Sequence, residues 1–187
     1  MLKRENCPRF ITPNRSNPHL PLFVFLPGLD GTGQLLHTQT ATLEKVFDVR
    51  SLVIPPDTLT GWDSLSQQVM NLIEVERCKQ PKRKIYLCGE SFGGCLAIKV
   101  ALRSQRLFHR IILVNPASCF HQKPLIGGAL QLAQFIPDLF YQVGTYGVLP
   151  FLGALERMEK RDRDHLLKAI KSVPPETFQW RLSLLHK

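Results

Sequence analysis

The chain has 187 residues, 44% of them hydrophobic and 21% charged, the balance of one globular domain with its own core. Its net charge of +9, from 24 Lys and Arg against 15 Asp and Glu, is scattered, with small clusters at 79–84 and 157–171 and no interleaved aromatic stripe. That pattern argues first for a solvated basic face and second for contact with an anionic membrane surface, and no nucleic acid is expected as a partner.

In chain order, residues 1–21 carry Pro8, Pro13, Pro18 and Pro21 among polar residues and read as an extended or disordered arm. Leu22-Phe23-Val24-Phe25-Leu26 follows, a continuous apolar run of the kind that forms a strand buried on both faces. It runs into Pro27-Gly28-Leu29-Asp30-Gly31-Thr32-Gly33, a glycine loop, and then a helical pattern over 34–46 with Leu35, Leu36 and Leu43. A second strand is predicted over 47–54, stopped by Pro55-Pro56. Residues 62–77 place Leu65, Val69, Leu72 and Ile73 on one face of an amphipathic helix. The apolar run Ile85-Tyr86-Leu87-Cys88 enters a glycine-rich turn that continues as a helix ending near Arg103, and Arg110-Ile111-Ile112-Leu113-Val114 forms the next strand before Asn115-Pro116. Four strands alternating with three helices, without hairpin turns or repeats, predict an α/β fold with a parallel sheet, flanking helices and right-handed crossovers.

The turn within this frame is Gly89-Glu90-Ser91-Phe92-Gly93-Gly94, a G-x-S-x-G nucleophile elbow in its required setting of strand, sharp turn and helix. Such a turn lifts a serine hydroxyl to the end of a sheet, and its glycines keep side chains from crowding it. A phosphate loop does not fit, because Cys95-Leu96 stand where Lys and Ser/Thr are needed. The segment Gly31-Thr32-Gly33-Gln34-Leu35-Leu36 also misses the dinucleotide fingerprint, with Leu36 in place of the third glycine. A tetrahedral oxyanion needs two preorganised N–H donors. Phe92, after the serine, is one candidate, and the loop at 27–33 offers the other from Leu29 or Asp30. The plain alternative for both segments is an ordinary βα connection.

The segments Leu26-Pro27-Gly28-Leu29-Asp30-Gly31-Thr32-Gly33, Gly89-Glu90-Ser91-Phe92-Gly93-Gly94-Cys95 and Asn115-Pro116-Ala117 together resemble an α/β-hydrolase family of cyanobacteria and plastids. It is related to the esterase/lipase/thioesterase portion of phytyl ester synthases and diacylglycerol acyltransferase-like proteins. The resemblance runs from about Leu22 to the C-terminus and implies acyl transfer from lipid, thioester or acyl-carrier donors to water or a lipophilic alcohol. It assigns Ser91 as nucleophile and Leu29 and Phe92 as oxyanion-hole amides. It implies an α/β-hydrolase core over 22–121 and a helical cap or lid over 122–187, with the C-terminal strands missing.

In this fold the acid and the histidine follow the serine on later loops. Past Val114 no further strand is read, and Asp138, Asp162, Asp164, His121, His165 and His186 lie in or beside helical patterns that suit surface or capping roles. The expectation is therefore an N-terminal piece of a larger serine hydrolase, inactive by itself because the triad acid and base lie beyond it. Glu90, next to the serine, is expected to be turned aside. The competing reading is a non-catalytic lipid-binding or interaction remnant of the same fold. Between 124 and 155 only Asp138 is charged, which suggests an acyl-chain pocket or a membrane-touching lid, although Pro137 and Pro150 leave halves too short to span a bilayer. Residues 157–171 read as a solvated charged helix, and 176–185 as a last helix that looks unfinished. Five cysteines with no C-x-x-C pair suit a reducing compartment, so a cytoplasmic location, peripheral to an internal membrane and not secreted, is expected. Six histidines at scattered positions show no metal-ligand spacing, and neither metal nor cofactor is expected.

Overall fold

The structure is a computed structural model in which residues 7–118 and 159–185 are described. Its centre is a five-stranded sheet in the order β1-β3-β2-β4-β5. The strands are β1 (Arg9–Ile11), β2 (Leu22–Leu26), β3 (Asp48–Val53), β4 (Ile85–Glu90) and β5 (Arg110–Val114). The described helices are α1 (His37–Leu43), α2 (Trp62–Lys79), α3 (Phe92–Arg103), α4 (Lys160–Lys171) and α5 (Pro175–Leu184).

Strand β2 is buried along its whole length, between β3 on one side and β4 on the other, both parallel to it. Its side chains alternate. Leu22, Val24 and Leu26 join Leu65, Val69, Ile73, Leu96 and Val100 of α2 and α3, while Phe23 and Phe25 join Leu36, Val49 and Cys88 toward α1. The chain leaves β2 toward β3 on one flank and returns to β4 on the other, so the loops after β2 and β4 diverge. That is a topological switch point, where open α/β sheets bind their ligands at the carboxyl ends of the strands. Leu26 pairs with Gly89 and Glu90 with Val114, which brings the ends of β2, β4 and β5 to one level.

Two expectations are corrected. Residues 9–11 are not a free arm: Arg9–Ile11 pairs antiparallel with β3, so the sheet is mixed rather than purely parallel. Polar contacts hold the rest of this segment. Asn14 and Arg15 donate backbone N–H groups to Glu44, while the Ser16 hydroxyl and Asn17 N–H donate to Asp48. Asp48 anchors a buried ionic network with Arg50, Glu76 and Arg83. Burial pushes the Asp48 and Glu76 carboxyls up. The opposing hydrogen bonds and positive charges, from Arg50 and Arg83 on Asp48 and from Lys79 and Arg50 on Glu76, win and hold both below the usual range.

The last helix is also better integrated than its sequence suggests. Phe178, Leu182, Leu184 and Leu185 enter the main core, and Trp62 Nε1 donates to the Leu184 carbonyl at 2.8 Å. Helix α4 buries only Ala169 and Ile170, as a charged outer helix should. The apolar stretch at 124–155 lies within 119–158, outside the described residues; of the expected cap, only 159–185 is described.

Candidate active site

The chain turns from β4 into α3 at Ser91, whose backbone has φ 53° and ψ −115°. Among the described non-glycine residues only Ser91 and Asn115 have positive φ. A side chain in this region costs on the order of 1–3 kcal/mol, which the surroundings must offset. They do so with main-chain bonds. Ser91 N–H donates to Val114 O at 3.0 Å, and Ser91 O accepts from Gly94 at 2.9 Å and Ala117 at 3.2 Å. The Asn115-Pro116-Ala117 segment is thus part of the elbow. The close approach also explains the glycines: a Cβ on Gly93 would strike the Leu26 and Pro27 carbonyls, and one on Gly89 would strike the Gly93 backbone. Phe92 occupies the first helical position, where an N–H has no intrahelical acceptor and the helix dipole favours negative charge.

The loop at 27–33 lies against this turn. A Cβ placed on Gly28 would be 3.8 Å from Ser91 Cβ. The Asp30 carboxylate accepts from the Thr32 N–H at 2.8 Å and its hydroxyl at 2.5 Å, while Gly31 N–H donates to Gly28 O at 3.1 Å. Neither the Leu29 nor the Phe92 N–H has a hydrogen-bond partner among the described residues. Ser91, Leu29, Gly28 and Asp30 line one cavity of about 600 Å³, with Leu35, Leu36, Leu166, Ile170 and Phe178 in its walls. That volume lies within the ordinary range for small-molecule sites. Glu90 lines the same cavity, so it is not turned away from it. Burial, with the Asp30 charge added, raises its carboxyl above the usual range. Burial, reinforced by Glu90, pushes the neighbouring Cys88 thiol up to about 11, which leaves it a protonated, poor nucleophile.

One residue escaped the sequence reading altogether. Arg181 of α5 is 2% exposed and aims its guanidinium at the outer side of the loop. Nη1 donates to Leu29 O at 2.7 Å, and Nη2 donates to Pro55 O at 3.0 Å and Ile54 O at 3.4 Å. Burial lowers its pKa to about 10, against the pull of Asp30 the other way, so it remains charged at neutral pH. Gly31, at φ 67°, has no room for a Cβ beside this guanidinium. Only an arginine inside the otherwise mixed sequence of α5 could have signalled this in advance.

Strand, strained serine turn, helix and adjacent glycine loop at a sheet switch point form the arrangement of an α/β-hydrolase. The Hydrolase_4 family model, serine aminopeptidase S33, matches residues 57–171, more than half of the chain. The chain belongs to this α/β-hydrolase family. Among curated relatives, the chain is 32% identical to phytyl ester synthase 1, chloroplastic, of Arabidopsis thaliana, over 96% of this chain and 29% of that protein. It is 35% identical to phytyl ester synthase 2, chloroplastic, of the same plant, over 74% of this chain and 20% of that one. The chain therefore spans less than a third of the length of these relatives. Among solved structures, a carboxylesterase from Nitrososphaera gargenis superposes with a TM-score of 0.72 at 15% identity, covering 100% of this chain and 71% of that one. An esterase from Exiguobacterium antarcticum gives 0.68 at 14% identity, covering 96% and 73%. These two likenesses show the fold.

Of the residues expected at the site, Ser91 and Leu29 line one cavity, and Phe92, which does not line it, follows Ser91 as the first residue of α3. His37 also lines this cavity, with Nδ1 3.3 Å from Gln34 O and Nε2 3.3 Å from Oδ1 of Asp162, another lining residue. Among the described residues, no histidine has a hydrogen bond to Ser91. No described helix is long and apolar enough to cross a membrane.

Proposed function

We propose that this chain belongs to a serine acyl hydrolase or acyltransferase acting on hydrophobic esters or thioesters, with Ser91 as its nucleophile. The observation that carries the reading is the positive-φ turn at Ser91, set between strand and helix with the 27–33 loop beside it. Ser91 Oγ attacks the acyl carbon and the carbonyl oxygen becomes an oxyanion. The Phe92 and Leu29 amides, unspent within the described residues, take up that charge, and the N-terminus of α3 adds its dipole. Collapse of the intermediate expels the leaving alcohol or thiol and leaves an acyl-serine, which water or a second alcohol then resolves. Serine is a weak nucleophile without a base, so the histidine and its carboxylate are assigned to parts of the protein outside the described residues.

The apolar walls of Leu35, Leu36, Leu166, Ile170 and Phe178 suit the hydrocarbon part of an acyl group. The names of the two plant relatives make a long lipophilic alcohol the proposed acceptor, with an internal membrane surface as the place where both substrates are met. The basic charge of the chain suits the anionic lipids of such a surface. The test is turnover of p-nitrophenyl esters of increasing chain length by the full-length protein and its Ser91→Ala variant. The expected result is activity that rises with chain length and vanishes in the variant. Lipid binding retained by a protein with no turnover in either form would favour the binding-module reading instead.

A further inference from the structure

We propose that His37, Asp162 and His165 form a binding site for a divalent transition metal of zinc type, joining helix α4 to the start of α1. The ligand atoms of these three residues lie within 4.8 Å of one another. His37 Nε2 is 3.3 Å from Asp162 Oδ1 and 3.3 Å from His165 Nδ1. Tetrahedral zinc, with bonds near 2.0–2.1 Å, separates its ligand atoms by about 3.4 Å. Two of the three separations already have that length.

The tautomer of His37 points the same way. Its Nδ1 lies 3.3 Å from the Gln34 carbonyl, which can only accept, so Nδ1 carries the hydrogen. In the neutral ring Nε2 then presents a lone pair to the Asp162 carboxylate, itself an acceptor. That lone pair also faces His165 Nδ1 at 3.3 Å, so a metal ion seated among the three groups would be met by a donor atom from each. The bond from Nδ1–H to a backbone carbonyl is the outer support by which metal-bound histidines are usually oriented. Asp162 and His165 are three residues apart on α4 and therefore share a face of that helix.

All three groups remain partly open to solvent, with His37 and Asp162 side chains 34% and 33% exposed, so an ion has an entry path and a water can complete the coordination. Arg161 and Lys168 line the adjoining cavity next to His165, and their positive charge opposes the ion. The expected affinity is therefore weaker than that of a closed structural site. His37 and Asp162 themselves line the cavity that holds Ser91, and the site joins α1 to the helix that carries Leu166 and Ile170 into it. Binding would hold that wall in place.

The experiment is calorimetric titration of chelator-treated full-length protein with zinc chloride, repeated for His37→Ala, His165→Ala and, as a control, His109→Ala. The proposal expects one zinc ion per chain in the wild type and the control, and a loss of about tenfold or more in affinity for each of the other two variants. Zinc should raise the melting temperature of the wild type but not of His165→Ala, with both melting alike when no metal is present. Cobalt(II) should give the intense visible absorption of a tetrahedral site in the wild type alone of these two. No uptake by the wild type, or equal uptake by His37→Ala and His165→Ala, would overturn the proposal.

Discussion

Replacing Arg181 with methionine tests whether α5 holds the 27–33 loop in position. The substitution keeps the length and most of the apolar stem but removes the donors that serve Leu29 O at 2.7 Å, Pro55 O at 3.0 Å and Ile54 O at 3.4 Å. The first two are charge-assisted bonds in a site 2% exposed, each worth about 1.5–3 kcal/mol. The carbonyls are then left buried without a partner, while the desolvation cost of the guanidinium disappears. These opposing terms leave a net loss of about 3 kcal/mol. Arg181→Lys retains the charge but not the fork, and should lose about half as much. Urea denaturation of the full-length protein reads the stability. Ester turnover reads the loop, and a drop of about tenfold or more in kcat/KM is expected as the Leu29 amide loses its fixed place. A stability change below about 1 kcal/mol with unchanged turnover would refute the clamp.

Three further outcomes follow from the same contacts. Ser91→Gly should be more stable than Ser91→Ala by about 1 kcal/mol in denaturant titration, because only glycine relieves the strain of φ 53°; equal stability would mean that the turn is not strained. Gly93→Ala should destabilise by about 3 kcal/mol or more or prevent folding, since its Cβ meets the Leu26 and Pro27 carbonyls, and a near-wild-type melt would contradict that packing. The folded-state pKa values of Asp48 and Glu76 are depressed, so their stabilisation is present above the unfolded carboxylate values and is lost as pH falls through the folded ones. Stability should thus decline below about pH 4, and Asp48→Asn should be less stable at neutral pH and flatten that decline; an unchanged acid limb would remove the network from the account.

The parts that were legible in the sequence are those whose signal is local. Strands β2, β4 and β5 are apolar runs closed by glycine, serine or proline turns, and the elbow announces itself by composition and by what flanks it. Arg9–Ile11 has no such pattern: three residues among prolines become a strand only because the outer edge of β3 is there to receive them. Arg181 looks like a surface residue of a short helix until the fold places three carbonyls around it. His37 and Asp162 are 125 positions apart, so no spacing rule could have joined them. Long-range placement, not propensity, decided each of these.

The most direct measurement is covalent. Full-length protein treated with a fluorophosphonate should gain one adduct, and tandem mass spectrometry should find it on Ser91 in the tryptic peptide of residues 85–99, with no labelling of Ser91→Ala. An intact, folded protein that stays unlabelled, or that carries the adduct on another residue, would contradict the assignment of Ser91 as the nucleophile.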